Sequence, residues 1–301
     1  MRESNPERSD DARLVTFDQH RRLMFSIAYR MLGSVADAED MLQETFIRWQ
    51  QAAADDIRSP KAFLVTTISR LCINHLESAH VRREQPVGQW LPEPLVTERE
   101  DDPLGVLRVD ESLSMALLLL LERLTPVERA VFILREVFGF AHADIAKHLG
   151  QSEDNCRQLF SRARRHVGDM RRRFETSSRE HQELLDRFLD AARNGNLEGL
   201  LHLFADDAIL HLDGGAERPV PNVIHGAEKV ARAMMSGARS LPKDMALRTA
   251  TINGEAGIIS YVDRRPFSVL IFDIRDRRIV GVYIVADRNK LTHLPSLEEA
   301  R

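Results

Sequence analysis

Cysteine is scarce in this chain of 301 residues, which has only Cys72 and Cys156. The two lie far apart, each on the apolar side of a helical pattern. That excludes a disulfide framework and argues against a zinc site, and it fits a reducing interior. Both are expected to pack as small hydrophobes. Long apolar runs are also missing: the longest, Ala116 to Leu121, is far too short to cross a bilayer. The N-terminus is polar and charged, so no signal peptide is expected, and the chain reads as soluble, cytoplasmic and without a membrane partner. No large net charge is present either. The formal value is −4, from 42 basic and 46 acidic residues, so the sum names no partner and clustering matters more. What is there is an apolar content of 43%, enough for real cores, and a length that suggests two or three domains.

The strongest local signal runs from Thr125 to Val167. Thr125 can cap a helix, Pro126 suits its first position, and Glu128 completes a capping box. Val127, Ala130, Val131, Leu134, Val137 and Phe138 recur at helical spacing, and Gly139 stops the run. A short second helix carries Ile145, Ala146 and Leu149 and ends at Gly150. Ser152 caps a third helix that packs Cys156, Phe160, Ala163 and Val167 inward. Its outward side shows Asn155, Arg157, Gln158, Ser161, Arg162, Arg164 and Arg165. Residues 157–173 hold seven Arg against one acid, a local charge of +6. A basic helix after a tight turn is a helix-turn-helix suited to the major groove, with its first residues at base edges and its Arg on phosphates. The plain alternative is a solvated three-helix bundle whose Arg serve only solubility.

Upstream, residues 1–12 are polar and expected to be disordered. From Phe17 to about Glu84 the pattern is helical. Ser34 can cap a helix that buries Val35, Ala38, Leu42, Thr45, Phe46 and Trp49. Asp37, Asp40 and Glu44 form an acidic stripe on that helix. Such a stripe is usually a solvated face; the functional reading is a dock for a basic partner. Ser59-Pro60 opens a further helix with Leu64, Ile68, Leu71, Cys72, His75, Leu76 and Ala79 at core positions. Arg70, Asn74, His80, Arg82 and Arg83 lie off or beyond that stripe. Pro86, Pro92, Pro94 and Pro103 then make residues 85–103 a linker, stiff in its Pro-rich half. It contains Trp90-Leu91-Pro92-Glu93-Pro94-Leu95, too apolar to leave in water, so this stretch is expected to dock. Leu104 to Leu124 reads as helical.

After Glu175–Arg179 the pattern changes. A helix over Leu184–Ala192 ends at Asn194-Gly195, and a second runs to about Ala205. Strand Ala208–Leu212 follows, then a loop from Asp213 to Pro221 and a helix from His225 to Ser236. Four strands are expected at Ala246–Ile252, Ala256–Val262, Phe267–Ile274 and Ile279–Ala286, joined by hairpin turns. Helices first and a meander after imply an α+β domain with helices on one sheet face. His202, Asp206, His211, Asp213 and His225 are its candidate polar groups. No nucleophile–base spacing or metal motif unites them, so no catalytic residue, cofactor or metal is assigned.

Residues 13–173 resemble bacterial extracytoplasmic-function (ECF) sigma factors. The segment from Asp37 to Phe46 is similar to that family's region 2 signature, which implies docking on core RNA polymerase, on the β′ and β subunits, through Asp37, Asp40, Gln43 and Glu44. Ser59 to Arg83 looks like the part of region 2 that melts and reads the −10 element, implying Arg70, Asn74, His80, Arg82 and Arg83 as its contacts. Leu124 to Arg165 looks like region 4, which reads the −35 element. Residues 180–291 resemble a SnoaL-like cone-shaped domain. The Trp90-Leu91-Pro92 linker motif and Asp213-Gly214-Gly215 are similar to a subgroup that carries this extension, and Asp287-Arg288-Asn289-Lys290-Leu291 loosely matches the end of that subgroup.

The expected organisation is therefore a tail (1–12), region 2 (13–84), a linker (85–103), region 4 (104–174) and a SnoaL-like domain (180–291). Two all-α sigma domains, the second a helix-turn-helix, precede an α+β domain that regulates them in cis, without a dedicated anti-sigma factor. A small ligand in the C-terminal domain is a further expectation. The rivals are a one-component ligand-sensing regulator, which leaves the region 2-like helix idle, and an enzyme, for which no catalytic set exists.

Overall fold

The structure, a computed structural model, describes residues 6–53, 57–82, 90–96, 114–168, 178–215, 223–242 and 244–298. Its contacts divide it into two compact units.

The first unit contains Met1–Arg83, Glu100–Arg108 and Leu120–Gly168. Helix α1 spans Pro6–Leu32, α2 spans Val35–Gln51 and α3 spans Pro60–Arg82. The tail expected over 1–12 is thus helical from Pro6 onward, because the helix of Phe17 to Leu32 simply continues upstream. Gly33, at φ 67°, takes the left-handed conformation that ends α1. Ser34 then caps α2 by accepting from the Asp37 N–H at 3.1 Å. Arg13 on α1 donates to the carbonyls of Trp49 and Ala52, satisfying the end of α2, while the Trp49 indole donates back to the Arg13 carbonyl at 3.0 Å.

Helices α5 (Pro126–Phe132), α6 (His142–Leu149) and α7 (Glu153–Val167) form the helix-turn-helix. The capping box of Thr125 and Glu128 is present in both directions. Beyond Phe132 the helix widens into a π-turn over Ile133–Val137 before Gly139 ends it at φ 69°. Gly150 closes α6 at φ 68°, and Ser152 caps α7. Cys156, Ala163 and Val167 are buried, and Phe160 stacks on Phe132.

The second unit contains Glu84–Arg99, Val109–Leu119 and Asp169–Arg301. It holds helices α8 (Ser178–Arg193), α9 (Leu197–Leu203) and α10 (Ala227–Arg239). Its strands are β1 (Phe204–Asp213), β2 (Val223–His225), β3 (Ala246–Ile252), β4 (Glu255–Val262), β5 (Arg265–Arg275) and β6 (Arg278–Val285). The sheet order is β2-β1-β6-β5-β4-β3, antiparallel except for the β1–β6 pair. The hairpin turns at Asn253-Gly254, Asp263-Arg264 and Asp276-Arg277 all have positive φ at both central residues, as the type I′ geometry requires.

Three local readings change. Strand β1 starts at Phe204, so the helix expected to reach Ala205 stops at Leu203 and Asp206 and Asp207 lie within the strand near a register shift. His225 ends the short strand β2, and α10 starts only after Gly226. The helix expected from Leu104 is described only from Met115, as α4 (Met115–Leu121); residues 104–113 lie outside the described residues.

Alternation along the strands gives the sheet two apolar faces. One packs Ile258, Phe272, Ile279 and Val282 against α8, α9 and α10. The other presents Ile259, Tyr261, Ile271, Tyr283 and Val285 to Leu91, Met115, Ala116, Leu291 and Leu294. Linker and α4 residues thus occupy the sheet face that the helices leave free.

Candidate functional site

On α2 the acidic residues divide. Asp40 and Gln43 are exposed. Glu44 pairs with Arg48 at 2.8 Å one turn on. Asp37 stays about as exposed as Glu44, with its carboxylate 3.9 Å from His75 on α3. The outward face is therefore Asp37, Asp40, Gln43 and Glu44, continued by the exposed Ile47.

On α3, Asn74 is exposed. Arg70 is committed: its Nε donates to the His148 carbonyl at 2.9 Å. His75 sits at the core edge, partly buried, as its spacing suggests. His80 and Arg82 fall in α3, but their side chains lie outside the described residues, as does the whole of Arg83.

Helix α7 presents Arg157, Gln158, Ser161, Arg162, Arg164 and Arg165 to solvent on one surface. Two of its groups have partners on their own helix turn. Arg157 bridges Glu153 and Asp154, and Asn155 donates to Gln151 at 2.8 Å. These exposed pairs are weak, so they orient Arg157 without committing it. Arg171, Arg172 and Arg173, part of the basic count, lie outside the described residues.

The linker motif is held by four residues of the C-terminal domain. The Leu91 N–H donates to Asp213 Oδ2 at 2.9 Å, and Lys290 Nζ donates to the Leu91 carbonyl at 2.5 Å. Lys290 also pairs with Asp213 at 2.6 Å and lies 4.4 Å from the centre of the Trp90 ring. Both polar groups of Leu91 are thus satisfied in a buried place. Four residues on, at Leu95, Asn253 repeats the device. Its Oδ1 accepts from the Leu95 N–H and its own N–H donates to the Leu95 carbonyl, at 2.9 and 2.8 Å. His293 Nε2 bonds the Pro94 carbonyl at 2.7 Å. Val96 bridges Ile252 at the end of edge strand β3. The segment is docked as an added piece of strand.

Gly215, at φ 69°, bonds back to Asp213 and lies so close to Asp287 that a Cβ there would meet Asp287 Cγ at 2.9 Å. The glycine therefore keeps Asp213 beside the turn that carries Lys290.

Models of two sigma-70 domains match the chain: region 2 over residues 16–82 and region 4 over residues 114–167. The ECF RNA polymerase sigma factor SigJ of Mycobacterium tuberculosis is 33% identical over 298 residues, covering 95% of each chain. The probable ECF RNA polymerase sigma factor SigI of the same species is 32% identical over 277 residues, covering 91% of this chain and 93% of its own. The crystal structure of M. tuberculosis SigJ aligns with a TM-score of 0.75 at 31% identity, over 94% of this chain and 99% of that one.

The chain belongs to the ECF RNA polymerase sigma factors. As an ECF sigma factor it binds core RNA polymerase and promoter DNA and directs transcription initiation. Its fold joins helical sigma regions to an α+β domain.

Within this sigma factor the linker clasp contains residues that sequence reasoning missed as site members. Lys290, Asn253 and His293 were not assigned, although Lys290 stands in the segment 287–291 that matched its subgroup loosely. Burial pushes the Lys290 ammonium below its usual range, and the Asp213 carboxylate pulls it back up. Glu255 was missed too. It is buried, it caps the start of α4 through the Met115 N–H, and burial and then the nearby Asp273 raise its carboxyl well above the usual range. Among the described residues no group of three or more metal-ligating side chains occurs.

Proposed function

We propose that the C-terminal domain of this ECF sigma factor controls its sigma regions in cis by gripping the linker between them. The observation that carries the reading is the buried Asp213–Lys290 pair closing on both backbone groups of Leu91. A linker that only spaced two DNA readers would need no such grip. In this reading the segment 90–96 takes the place of the small ligand expected for the domain, and the domain takes the place of a separate anti-sigma partner.

The remaining surfaces have separate roles. Asp37, Asp40, Gln43 and Glu44 meet a basic surface of core polymerase, and Asp37 also lies beside His75. Arg70, Asn74, His80, Arg82 and Arg83 contact the −10 element. Asn155, Arg157 and Gln158 read −35 base edges, while Ser161, Arg162, Arg164 and Arg165 hold phosphates. Trp90, Leu91 and Pro92 with Asp213, Gly214 and Gly215, now joined by Lys290 and Asn253, form the regulatory contact.

The test is run-off transcription with core polymerase, comparing the natural chain with Asp213→Asn and Lys290→Met. Release of the linker should change promoter output while core affinity stays measurable. Identical output from all three chains rejects control through the clasp.

A further inference from the structure

The first turn of α7 is acidic, although the rest of its outward surface is basic. Glu153 and Asp154 occupy that turn, and both reach Arg157. Arg157 Nη2 donates to Glu153 Oε1 at 2.5 Å, and Nη1 donates to Asp154 Oδ1 at 3.1 Å. Side chains on an α-helix lean toward its N-terminus. Partners three and four places upstream draw Arg157 further that way. A helix-turn-helix presents this end of its recognition helix to base edges. Arg162, Arg164 and Arg165 have no acid three or four places upstream, so nothing pulls them toward that end.

The donor count leaves room for a base. A guanidinium has five N–H groups. Two are used by the acids, and a bidentate contact to guanine O6 and N7 needs two of the other three. Phosphate is the competing target, and two carboxylates beside the guanidinium repel it. Arg157 is thereby steered from backbone to base, whereas the unbraced Arg on the same helix are free to follow phosphates.

Both pairs are exposed in the free chain, with Arg157 at 56%, Glu153 at 42% and Asp154 at 85% of their side-chain surface. They are weak there. They gain strength where a groove displaces water, because the effective dielectric falls. A braced Arg also has less rotamer freedom to lose on binding.

We propose that Glu153 and Asp154 are positioning residues for −35 recognition, which aim Arg157 at a guanine and turn it away from phosphate. The proposal rests on the reading of Arg157 as a base contact, and the experiment below separates the two.

The full chain, bound to core polymerase, selects from promoter fragments randomised across the −35 element, and the pool is sequenced before and after. Arg157→Ala marks the base pair that Arg157 reads, as a loss of guanine preference there of about five-fold or more. Glu153→Gln combined with Asp154→Asn keeps both side-chain sizes. It should relax guanine preference at that same pair about two- to ten-fold, the worth of two exposed ion pairs. The other positions should keep their preferences. Added to Arg157→Ala, it should relax that pair no further. Acids in a first turn also stabilise the helix itself. If they do only that, or act only as diffuse negative charge, the double variant shifts affinity for every fragment alike. Base preferences then stay where they were, which overturns the proposal and leaves Arg157 a base contact. If Arg157→Ala relaxes no single base pair, the base-contact reading falls and the proposal falls with it.

Discussion

Asp213 and Lys290, 77 residues apart in sequence, meet at 2.6 Å and are each about one-tenth exposed or less. Removing one member of a buried pair leaves an uncompensated charge, which typically costs about 3–5 kcal/mol. Lys290→Met or Asp213→Asn should therefore destabilise the C-terminal domain by roughly that amount. The double variant should cost less than the two singles together, because neither charge is left alone. Denaturant melts followed by Trp90 fluorescence, in a Trp49→Phe background, measure this. Full additivity would show that the two side chains act separately.

Asn253 has two duties. It adopts φ 53° in the β3–β4 turn and it bonds Leu95 through both side chain and backbone. Asn253→Gly keeps the turn geometry and removes the side-chain acceptor. The Leu95 N–H is then buried without its partner, a loss of about 1–3 kcal/mol. Faster proteolytic cutting within residues 90–96, with the rest of the domain intact, is the expected result.

Glu255 predicts a pH dependence. Its folded-state pKa is raised, first by burial and then by Asp273. The folded chain then holds a proton that the unfolded chain has released. Stability must fall as pH rises from the ordinary carboxylate range toward the raised value. Asp273, Arg275 and the Met115 N–H are the groups that face it. Glu255→Gln should flatten that slope in thermal melts taken across the range. An unchanged slope would place the proton elsewhere.

Arg157 tests the division between base and phosphate contacts. If it reads a base edge, Arg157→Ala should cost about 1–3 kcal/mol on the cognate −35 sequence and relax one position. Arg164→Ala should weaken binding on all sequences alike and reduce the salt slope by about one. Equal losses on cognate and random DNA would move Arg157 into the phosphate group.

On α2, Asp40→Lys and Glu44→Lys should slow association with core polymerase, with the largest effect at low salt. Asp37→Asn should do less, since that carboxylate faces His75. Surface-capture kinetics at two salt concentrations distinguish them.

The starts and stops of helices were legible because their causes are local. Ser34, Thr125 with Glu128, Ser152, Gly139 and Gly150 each act within one turn of chain. Asn253-Gly254 announced its hairpin for the same reason. The groups that meet across the fold left no such trace. The bond between Lys290 and Leu91 spans 199 residues, as does that between His293 and Pro94. Spacing along either segment does not tell which buried charge answers which carbonyl. Glu128 reads as the closing half of a capping box, yet it and Arg129 are both buried, and Arg129 bonds a carbonyl 98 residues upstream.

The docked linker also sets a limit on travel. Between the end of α3 and the start of α4 runs a strand of chain that could stretch to about 110 Å if free. Pinned at Trp90–Val96, it becomes two leashes, of about 28 Å before the pin and about 62 Å after it. Unpinning one short peptide thus lengthens the tether between two DNA readers without touching a residue of either.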